Sequence, residues 1–197
     1  MTPASPDPAA DDFALMEGIA ARDQGALSAL YDRHSSAVFG LCLRILRERE
    51  EAEEATCDVF IEVWNRGSRF DRERGHPLAY LLNLARSRAI DRLRTRTRRQ
   101  KLFVVRDDEE TKQTPDAGSP LADSMTSQMR SRLTRALAVL QPGQKKALEL
   151  AYFDGMSHSE IASALGEPLG TVKTRIRQGL LRMRETLSAE YGEGVAS

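Results

Sequence analysis

The sequence has few of the residues from which metal, redox or membrane-spanning sites are built. Its 197 residues include two cysteines and three histidines, and neither Cys42 nor Cys57 stands at metal-ligand spacing from another such residue. No phosphate-cradling glycine loop and no Ser-His-Asp set is recognisable, so we expect no enzymatic activity, no metal and no cofactor. The longest apolar run, residues 37–43, is too short to cross a bilayer.

The start of the chain, MTPASPDPAADD, has neither the basic region nor the apolar core of a secretory signal. We interpret Cys42 and Cys57 as small buried or half-buried hydrophobes within helices, with a redox role as the less favoured alternative. Both observations predict a reducing, cytoplasmic location.

Charge is balanced over the whole chain but separated along it. The 29 basic residues equal the 29 acidic ones in number. Residues 66–106 nevertheless hold 13 basic and three acidic residues, whereas residues 48–62 hold one basic and seven acidic, and residues 107–123 one basic and six acidic. Such blocks of opposite charge indicate different partners for different faces.

The apolar spacing predicts an all-α protein of two small helical domains joined by a flexible acidic linker, the second domain with a helix-turn-helix. We expect a disordered tail at 1–11, an N-terminal helical domain at 12–105 and a C-terminal helix-turn-helix domain at 125–190, followed by a disordered tail at 191–197. The linker at 106–124 contains two prolines and an acidic run without apolar periodicity, which favours a flexible, extended segment.

The first domain is predicted to contain helices at 12–21, 26–46, 50–65 and 78–99. The core candidates of the second helix are Leu27, Leu30, Tyr31, Val38, Leu41 and Ile45. The third helix carries an acidic stripe, and we expect its residues to gain no pairing with basic residues of the same helix. Such a stripe is usually a solvated face, but it can also be a docking face for a basic partner. The stripe consists of Glu51, Glu54, Asp58 and Glu62.

The fourth helix combines an apolar face with an opposite face that carries a ring, an amide, a hydroxyl and charges. The basic loop RGSRFDRERGH, residues 66–76, with Phe70 as its one aromatic, leads into this helix. Arginines attract phosphates, while a ring and polar groups on one face can hold bases. A surface helix with solvated arginines is the alternative. The apolar face consists of Leu78, Leu81, Leu82, Ala85, Ala89 and Leu93, and the opposite face of Tyr80, Asn83, Ser87, Asp91 and Arg94.

The second domain is predicted to contain helices at 125–140 and 144–153, then a short helix that begins with the capping box Ser157 and Glu160 and ends at Gly166. A last helix extends from 168 to 187. Its basic, polar outer face after the glycine turn is typical of a DNA-reading helix-turn-helix, which we favour over a helical pair with solvated arginines. The apolar stripe of this helix consists of Val172, Ile176, Leu180, Met183 and Leu187.

Over residues 12–187, this order of features resembles the extracytoplasmic function (ECF) class of bacterial sigma factors. Residues 50–66, EEAEEATCDVFIEVWNR, resemble the helix that docks on core RNA polymerase, and residues 77–94, PLAYLLNLARSRAIDRLR, the segment that opens the −10 element. Residues 156–187, MSHSEIASALGEPLGTVKTRIRQGLLRMRETL, resemble the domain that reads the −35 element. The family often has Gln, Trp and Asn where Cys57, Tyr80 and Ser87 stand.

The resemblance implies a promoter-specificity subunit that binds core RNA polymerase, recognises duplex −35 and single-stranded −10 DNA, helps to open it, and is held by an anti-sigma factor without inserting into a membrane. The docking residues it implies are Glu51, Glu54, Asp58 and Glu62. The implied −10 residues are Arg66, Phe70, Tyr80, Asn83, Arg86, Ser87 and Arg94, and the loop at 66–76 holds an extruded base. The implied −35 residues are Thr171, Lys173, Thr174, Arg175, Arg177 and Gln178.

A helix-turn-helix regulator that binds duplex DNA without polymerase is the alternative function. It explains residues 156–187 but leaves the acidic stripe and the fourth helix without a role. An enzyme is the third hypothesis, and the sequence contains no recognisable set of catalytic residues that supports it.

Overall fold

Helices are the regular elements of this protein. The computed structural model describes residues 11–103 and 134–193, and in these ranges it contains helices and turns but no β-strand. The helices are α1 (Asp12–Ala20), α2 (Gln24–Leu46), α3 (Arg49–Arg66), α4 (Pro77–Phe103), α5 (Pro142–Tyr152), α6 (His158–Leu165) and α7 (Leu169–Glu193). The all-α prediction is thus confirmed. The predicted linker at 106–124 lies outside the described residues, as does the predicted helix at 125–140 up to residue 133; residues 134–138 are helical.

The chain divides into two compact units, Met1–Ser124 and Met125–Ser197. In the first unit, α2 packs against α1, α3 and α4. Helix α2 begins at Gln24, two residues before the predicted start, because the Asp23 side chain accepts a hydrogen bond from the Gly25 amide at 2.8 Å. An N-terminal cap of this kind compensates for the unfavourable glycine inside the first turn.

Most of the predicted core of α2 is buried, and one position is wrong. Leu30, Val38, Leu41 and Ile45 are at most 2% exposed, whereas Tyr31 is 42% exposed. The Tyr31 ring lies edge-on against Phe60 of α3, with centroids 4.8 Å apart. A large ring at the border of the helix interface packs with one edge and leaves the other in water.

The two cysteines differ in their surroundings. Cys42 is buried, and burial raises the pKa of its thiol to about 11 despite a hydrogen bond with Thr56 and the charge of Arg92. Cys57 is exposed, so the prediction of a buried or half-buried residue is wrong for it. It lies one turn from the exposed Ile61 on α3.

A buried carboxylate joins α1 to α2. Asp12 is 7% exposed, and its two oxygens accept hydrogen bonds from Arg33 Nη1 at 2.7 Å and His34 Nε2 at 2.8 Å. Burial by itself raises the pKa of Asp12, but the hydrogen bond from Arg33 and the charge of His34 outweigh it, so the pKa lies below its ordinary value. The carboxylate is therefore ionised at neutral pH and holds the first turn of α1.

The second unit has a small core made from one face of each of α5, α6 and α7. Helix α6 begins with the predicted capping box: Ser157 Oγ accepts from the Glu160 amide at 3.3 Å, and Glu160 Oε2 accepts from the Ser157 amide at 2.7 Å. A cap of this kind contributes roughly 1 kcal/mol. The core residues are Ala147, Leu150, Ile161, Val172 and Ile176.

Three members of the predicted apolar stripe on α7 are not in this core: Leu180, which is exposed, and Met183 and Leu187, which are half-buried. Leu180 is 54% exposed, because the neighbouring Gly179 makes the close contact with α5. A Cβ atom at Gly179 would lie 2.8 Å from Leu148 Cδ1 and 3.4 Å from Gln144 Cβ. Helices α5 and α7 make their close contact at Gly179, and the Leu180 side chain lies outside this contact and is exposed to solvent.

We expect Asp12→Ala to lower the free energy of unfolding by about 2 kcal/mol at neutral pH, because Arg33 and His34 lose a charged hydrogen-bond partner. Since the folded-state pKa of Asp12 is lowered, this stabilisation is complete above the ordinary carboxyl pKa of about 3.9 and is lost as pH falls through the lower folded-state pKa. Urea unfolding across this pH range measures the effect. Asp11→Ala, which removes an exposed carboxylate beside it, is the matched control, and an Asp12→Ala midpoint equal to that control would contradict the assignment.

Candidate docking and nucleic-acid surfaces

The acidic stripe of α3 has basic partners, three of them on α4 and one, Arg66, four residues after Glu62 on α3 itself. The prediction that the stripe is unpaired is therefore wrong. Three arginines spaced four residues apart on α4 face the four carboxylates, and we call this set the charge ladder. Its pairs are Arg88 with Glu62 (Nε to Oε2, 2.9 Å), Arg92 with Asp58 (2.5 Å) and Glu54 (2.7 Å), and Arg96 with Glu51 (3.0 Å).

The ladder sets the relative direction of the two helices. As residue numbers rise along α4 they fall along α3, so the helices are antiparallel. The partners on α4 are 26 to 45 residues away in sequence, so inspection of positions four residues apart on one helix finds only the Arg66–Glu62 pair. The hydrogen bonds that Arg92 donates to Glu54 and Asp58 raise its pKa, and the one that Arg88 donates to Glu62 raises the pKa of Arg88.

The predicted docking residues differ in the solvent exposure of their side chains. The Glu54 side chain is 70% exposed and that of Asp58 46%, compared with 33% for Glu51 and 11% for Glu62. Beside them lies Ile61, a large aliphatic side chain that is 58% exposed. Ile61 is not among the docking residues predicted from the sequence. The feature that could have identified it is an apolar residue placed off the core face of α3, one turn beyond Cys57.

The structure brings three of the predicted −10 residues together at the beginning of α4. The Phe70 and Tyr80 rings pack edge-on with centroids 5.5 Å apart, and Arg66 is held by Glu62 at 2.8 Å. Burial, and then the charge of Glu62, raise the pKa of Tyr80, while Arg66 and Arg69 lower it less. The phenol therefore stays neutral and keeps its hydrogen-bond donor.

The other predicted −10 residues are on α4 beyond this cluster. Asn83, Ser87 and Arg94 are exposed, and Arg86 is half-buried. Asn83 and Ser87 follow Tyr80 by one and two helical turns, so the ring, the amide and the hydroxyl line one face. Because the ladder arginines face α3, this face is directed away from α3.

The 66–76 loop that precedes α4 has a defined conformation. It contains two short 3₁₀ turns, Gly67–Arg69 and Arg72–Arg74, and Asp71 caps the second by accepting from the Glu73 amide at 2.9 Å. Gly75 has φ of +142°, which a side chain would disfavour. His76 Nδ1 then accepts from the Leu78 amide at 3.3 Å, within the first turn of α4.

Helices α6 and α7 form the predicted helix-turn-helix. Gly166 ends α6 with φ of +65°, and α7 begins three residues later at Leu169. Lys173, Thr174, Arg177 and Gln178 are exposed on the first three turns of α7, with Thr171 half-buried among them. A helix that presents such side chains fits the major groove.

Arg175 is separate from the other predicted −35 residues. Its Nη1 is 2.6 Å from Glu167 Oε1, and its guanidinium covers Gly143 so closely that a Cβ there would lie 2.7 Å from it. Gln178 is exposed, and its Oε1 is 3.5 Å from Nε2 of the buried Gln144 on α5. Arg175 therefore links α7 to the preceding turn and to α5, while Gln178 reaches the surface.

Residues 11–103 and 134–193 hold neither a metal-ligand cluster nor a membrane-spanning helix. In these residues, no three histidines, cysteines or carboxylates converge as metal ligands would. No helix among them combines the length and the apolar character that a bilayer crossing needs.

Comparison with known families and proteins matches both units. The family model for sigma-70 region 2 matches residues 30–99, and that for sigma-70 region 4 matches residues 130–183. The protein named ECF RNA polymerase sigma factor SigK of Mycobacterium tuberculosis is 34% identical over 174 residues, which cover 88% of this chain and 92% of that protein. The SigK protein of Mycolicibacterium vanbaalenii is 33% identical over 178 residues, which cover 88% of each chain.

Two solved structures are also similar to this chain. SigE of Rhodobacter sphaeroides, solved in complex with the anti-sigma ChrR, is 30% identical with a TM-score of 0.47, covering 91% of this chain and 98% of that one. The sigma factor RpoE of Bartonella quintana, solved in complex with the anti-sigma factor NepR, is 21% identical with a TM-score of 0.37, covering 80% and 94%.

The extent and identity of the SigK matches, together with the matches to sigma-70 regions 2 and 4 on separate units, settle the family. The chain belongs to the ECF class of sigma-70 RNA polymerase sigma factors and is an alternative sigma factor.

Proposed function

We propose that this sigma factor docks on core RNA polymerase through α3, reads the −35 duplex with α7 and holds unpaired −10 bases with α4 and the 66–76 loop. The observation that carries the proposal is the exposed row of Asn83 and Ser87 beside the Phe70–Tyr80 ring pair. These groups supply the stacking surface and hydrogen bonds that unstacked bases need. The chain itself performs no catalysis in this proposal, in line with the sigma-70 family, whose members are not themselves enzymes.

The docking face that we propose is narrower than the acidic stripe and also partly apolar. Glu54 and Asp58 are accessible beside Ile61, whereas Glu62 is mostly covered by Arg88 and Arg66. The core of a protein interface is apolar and its rim is polar, so Ile61 can contribute to the core of the interface and the two carboxylates to its rim. The partner surface on core polymerase is therefore expected to combine an apolar patch with basic side chains.

Cytoplasm is the proposed site of action, because core polymerase and promoter DNA are found there. An anti-sigma factor is the further partner that the family resemblance implies. We propose that it covers the same faces of α3 and α4, so that it competes with core polymerase.

Run-off transcription with purified core polymerase and a pool of genomic promoter fragments tests the proposed function. We expect discrete transcripts that depend on the chain, because core polymerase lacks promoter specificity of its own. Their start sites will identify the −10 and −35 sequences. Tight binding of the free chain to the same duplexes without core polymerase would instead favour the helix-turn-helix regulator.

The affinity of the chain for core polymerase is the second measurement that tests the proposed function. Ile61→Ala should weaken the complex by about tenfold, as expected for a residue at the centre of an interface. Tyr31→Ala, which removes an exposed aromatic on α2 in the same unit, should leave the affinity unchanged. If the unaltered chain does not bind core polymerase, the sigma-factor proposal fails.

The double variant Asn83→Ala with Ser87→Ala should bind promoter DNA in the closed complex normally and open it poorly. The physical reason is that both side chains are exposed on the face that would receive single-stranded bases, and duplex DNA does not need them. Permanganate reactivity of thymines in the bubble measures opening. The matched control is Ser28→Ala with Ser36→Ala, two exposed hydroxyls on α2, and normal bubble reactivity in the Asn83–Ser87 variant would contradict the assignment.

Arg177→Ala should reduce discrimination between matched and altered −35 sequences by about tenfold, because a base-edge contact contributes about 1–3 kcal/mol. Affinity of the holoenzyme for a panel of −35 variants measures it. Arg184→Ala removes an exposed arginine two turns further along α7 and is the charge-matched control. It should weaken binding uniformly, as the loss of a phosphate contact does. Equal discrimination in Arg177→Ala and the unaltered chain would refute base readout by Arg177.

A further inference from the structure

Helix α1 is the one helix of the first unit that the sigma-70 region 2 match does not reach. That match begins at residue 30, while α1 ends at Ala20. Nevertheless, α1 contacts the 66–76 loop, which belongs to the matched region. These contacts connect α1 to the proposed −10 surface, because the loop is part of that surface.

Phe13 on α1 packs between the middle and the end of this loop. Its ring centroid is 6.1 Å from that of Phe70 and 5.3 Å from that of His76, which it meets nearly at right angles. The Arg72 guanidinium lies over the same ring at 4.8 Å. Three loop side chains are thus arranged around one phenyl ring, which is half-buried.

Helix α1 is firmly held, so it can serve as a support. Asp12, the residue before Phe13, is bonded to Arg33 and His34 on α2, and its Oδ2 is 3.9 Å from His76 Nδ1. At the other end of α1, Ile19 lies so close to Gly67 that a Cβ atom there would be 2.8 Å from Ile19 Cγ2. The loop is therefore in contact with α1 near its beginning at Gly67, in its middle at Phe70 and at its last residue, His76.

The ring of Phe70 connects this support to the proposed base-holding face. One neighbour of Phe70 is Phe13 at 6.1 Å and another is Tyr80 at 5.5 Å. Loss of the phenyl ring at position 13 would allow Phe70 to move toward α1 and away from Tyr80. Phe13 differs in this respect from Leu15, Met16 and Ile19, which are at most 3% exposed and form the core face of α1.

We propose that Phe13 positions the 66–76 loop through Phe70, and that α1 thereby sets the base preference at the −10 element. The proposal rests on the proposed function, because it assumes that the loop and Tyr80 receive −10 bases. Phe13 is a positioning residue in this scheme, since it acts through Phe70. The exposed Arg72–Glu17 pair, at 3.6 Å, is a weaker second link between the loop and α1.

The experiment compares Phe13→Ala with Tyr31→Ala. The two variants are matched, because each removes one ring of an aromatic pair that joins two segments of the first unit. The first measurement is transcription by the holoenzyme from promoters with a fixed −35 element and a randomised −10 element. We expect Phe13→Ala to lower the base preference by about fivefold at one or more −10 positions, the size of effect that loss of an aromatic pair produces. Tyr31→Ala should keep the preference, and Phe13→Tyr, which retains the ring, should restore it.

The second measurement is hydrogen exchange of the full-length chain without polymerase. Amides of residues 67–76 should exchange faster in Phe13→Ala and at the unaltered rate in Tyr31→Ala. Unchanged exchange would overturn the positioning role itself. Faster exchange with an unchanged −10 preference would overturn the role in promoter selection. If the unaltered chain gives no polymerase-dependent transcript, the proposed function fails, and the exchange data still show whether Phe13 holds the loop.

Discussion

The charge ladder between α3 and α4 is the interaction on which the proposed surfaces depend. Arg88, Arg92 and Arg96 occupy one side of α4 and face the carboxylates of α3. Because a helix turns about 100° per residue, fixing that side toward α3 also fixes which residues point outward. Each exposed ion pair contributes little free energy by itself, so the main effect of the ladder is to select the direction and rotation of α4 relative to α3.

The ladder also uses part of the separated charge of the chain for pairing within the first domain. The basic and acidic blocks of the first domain partly pair with each other and are not simply two surfaces for two external partners. Of the four carboxylates in the ladder, Glu54 and Asp58, beside the exposed Ile61 on α3, are the most accessible. The proposed docking surface and the proposed base-holding surface therefore lie on adjacent helices.

Features that depend on contacts within a few residues could be predicted from the sequence, whereas features that depend on contacts between distant segments could not. Apolar residues three and four positions apart predicted the helices, and the Ser157–Glu160 capping box is present as expected. The same spacing placed Tyr31 and Leu180 in the core, where neither lies. Spacing indicates which side of a helix is apolar, but it does not indicate how closely the neighbouring helix approaches, and at Leu180 that approach is made by Gly179.

By itself, the sequence determined the all-α fold, the helix-turn-helix and the family, because helix periodicity, caps and motifs depend on residues within a few positions of each other. Only the tertiary structure decided that the acidic stripe is paired, that Arg175 is bound to Glu167, and that Phe13 contacts the loop before α4. The partners in the ladder are up to 45 residues apart. Such pairs form only when packing brings two helices to a particular distance and rotation, and no local pattern in the chain encodes that geometry.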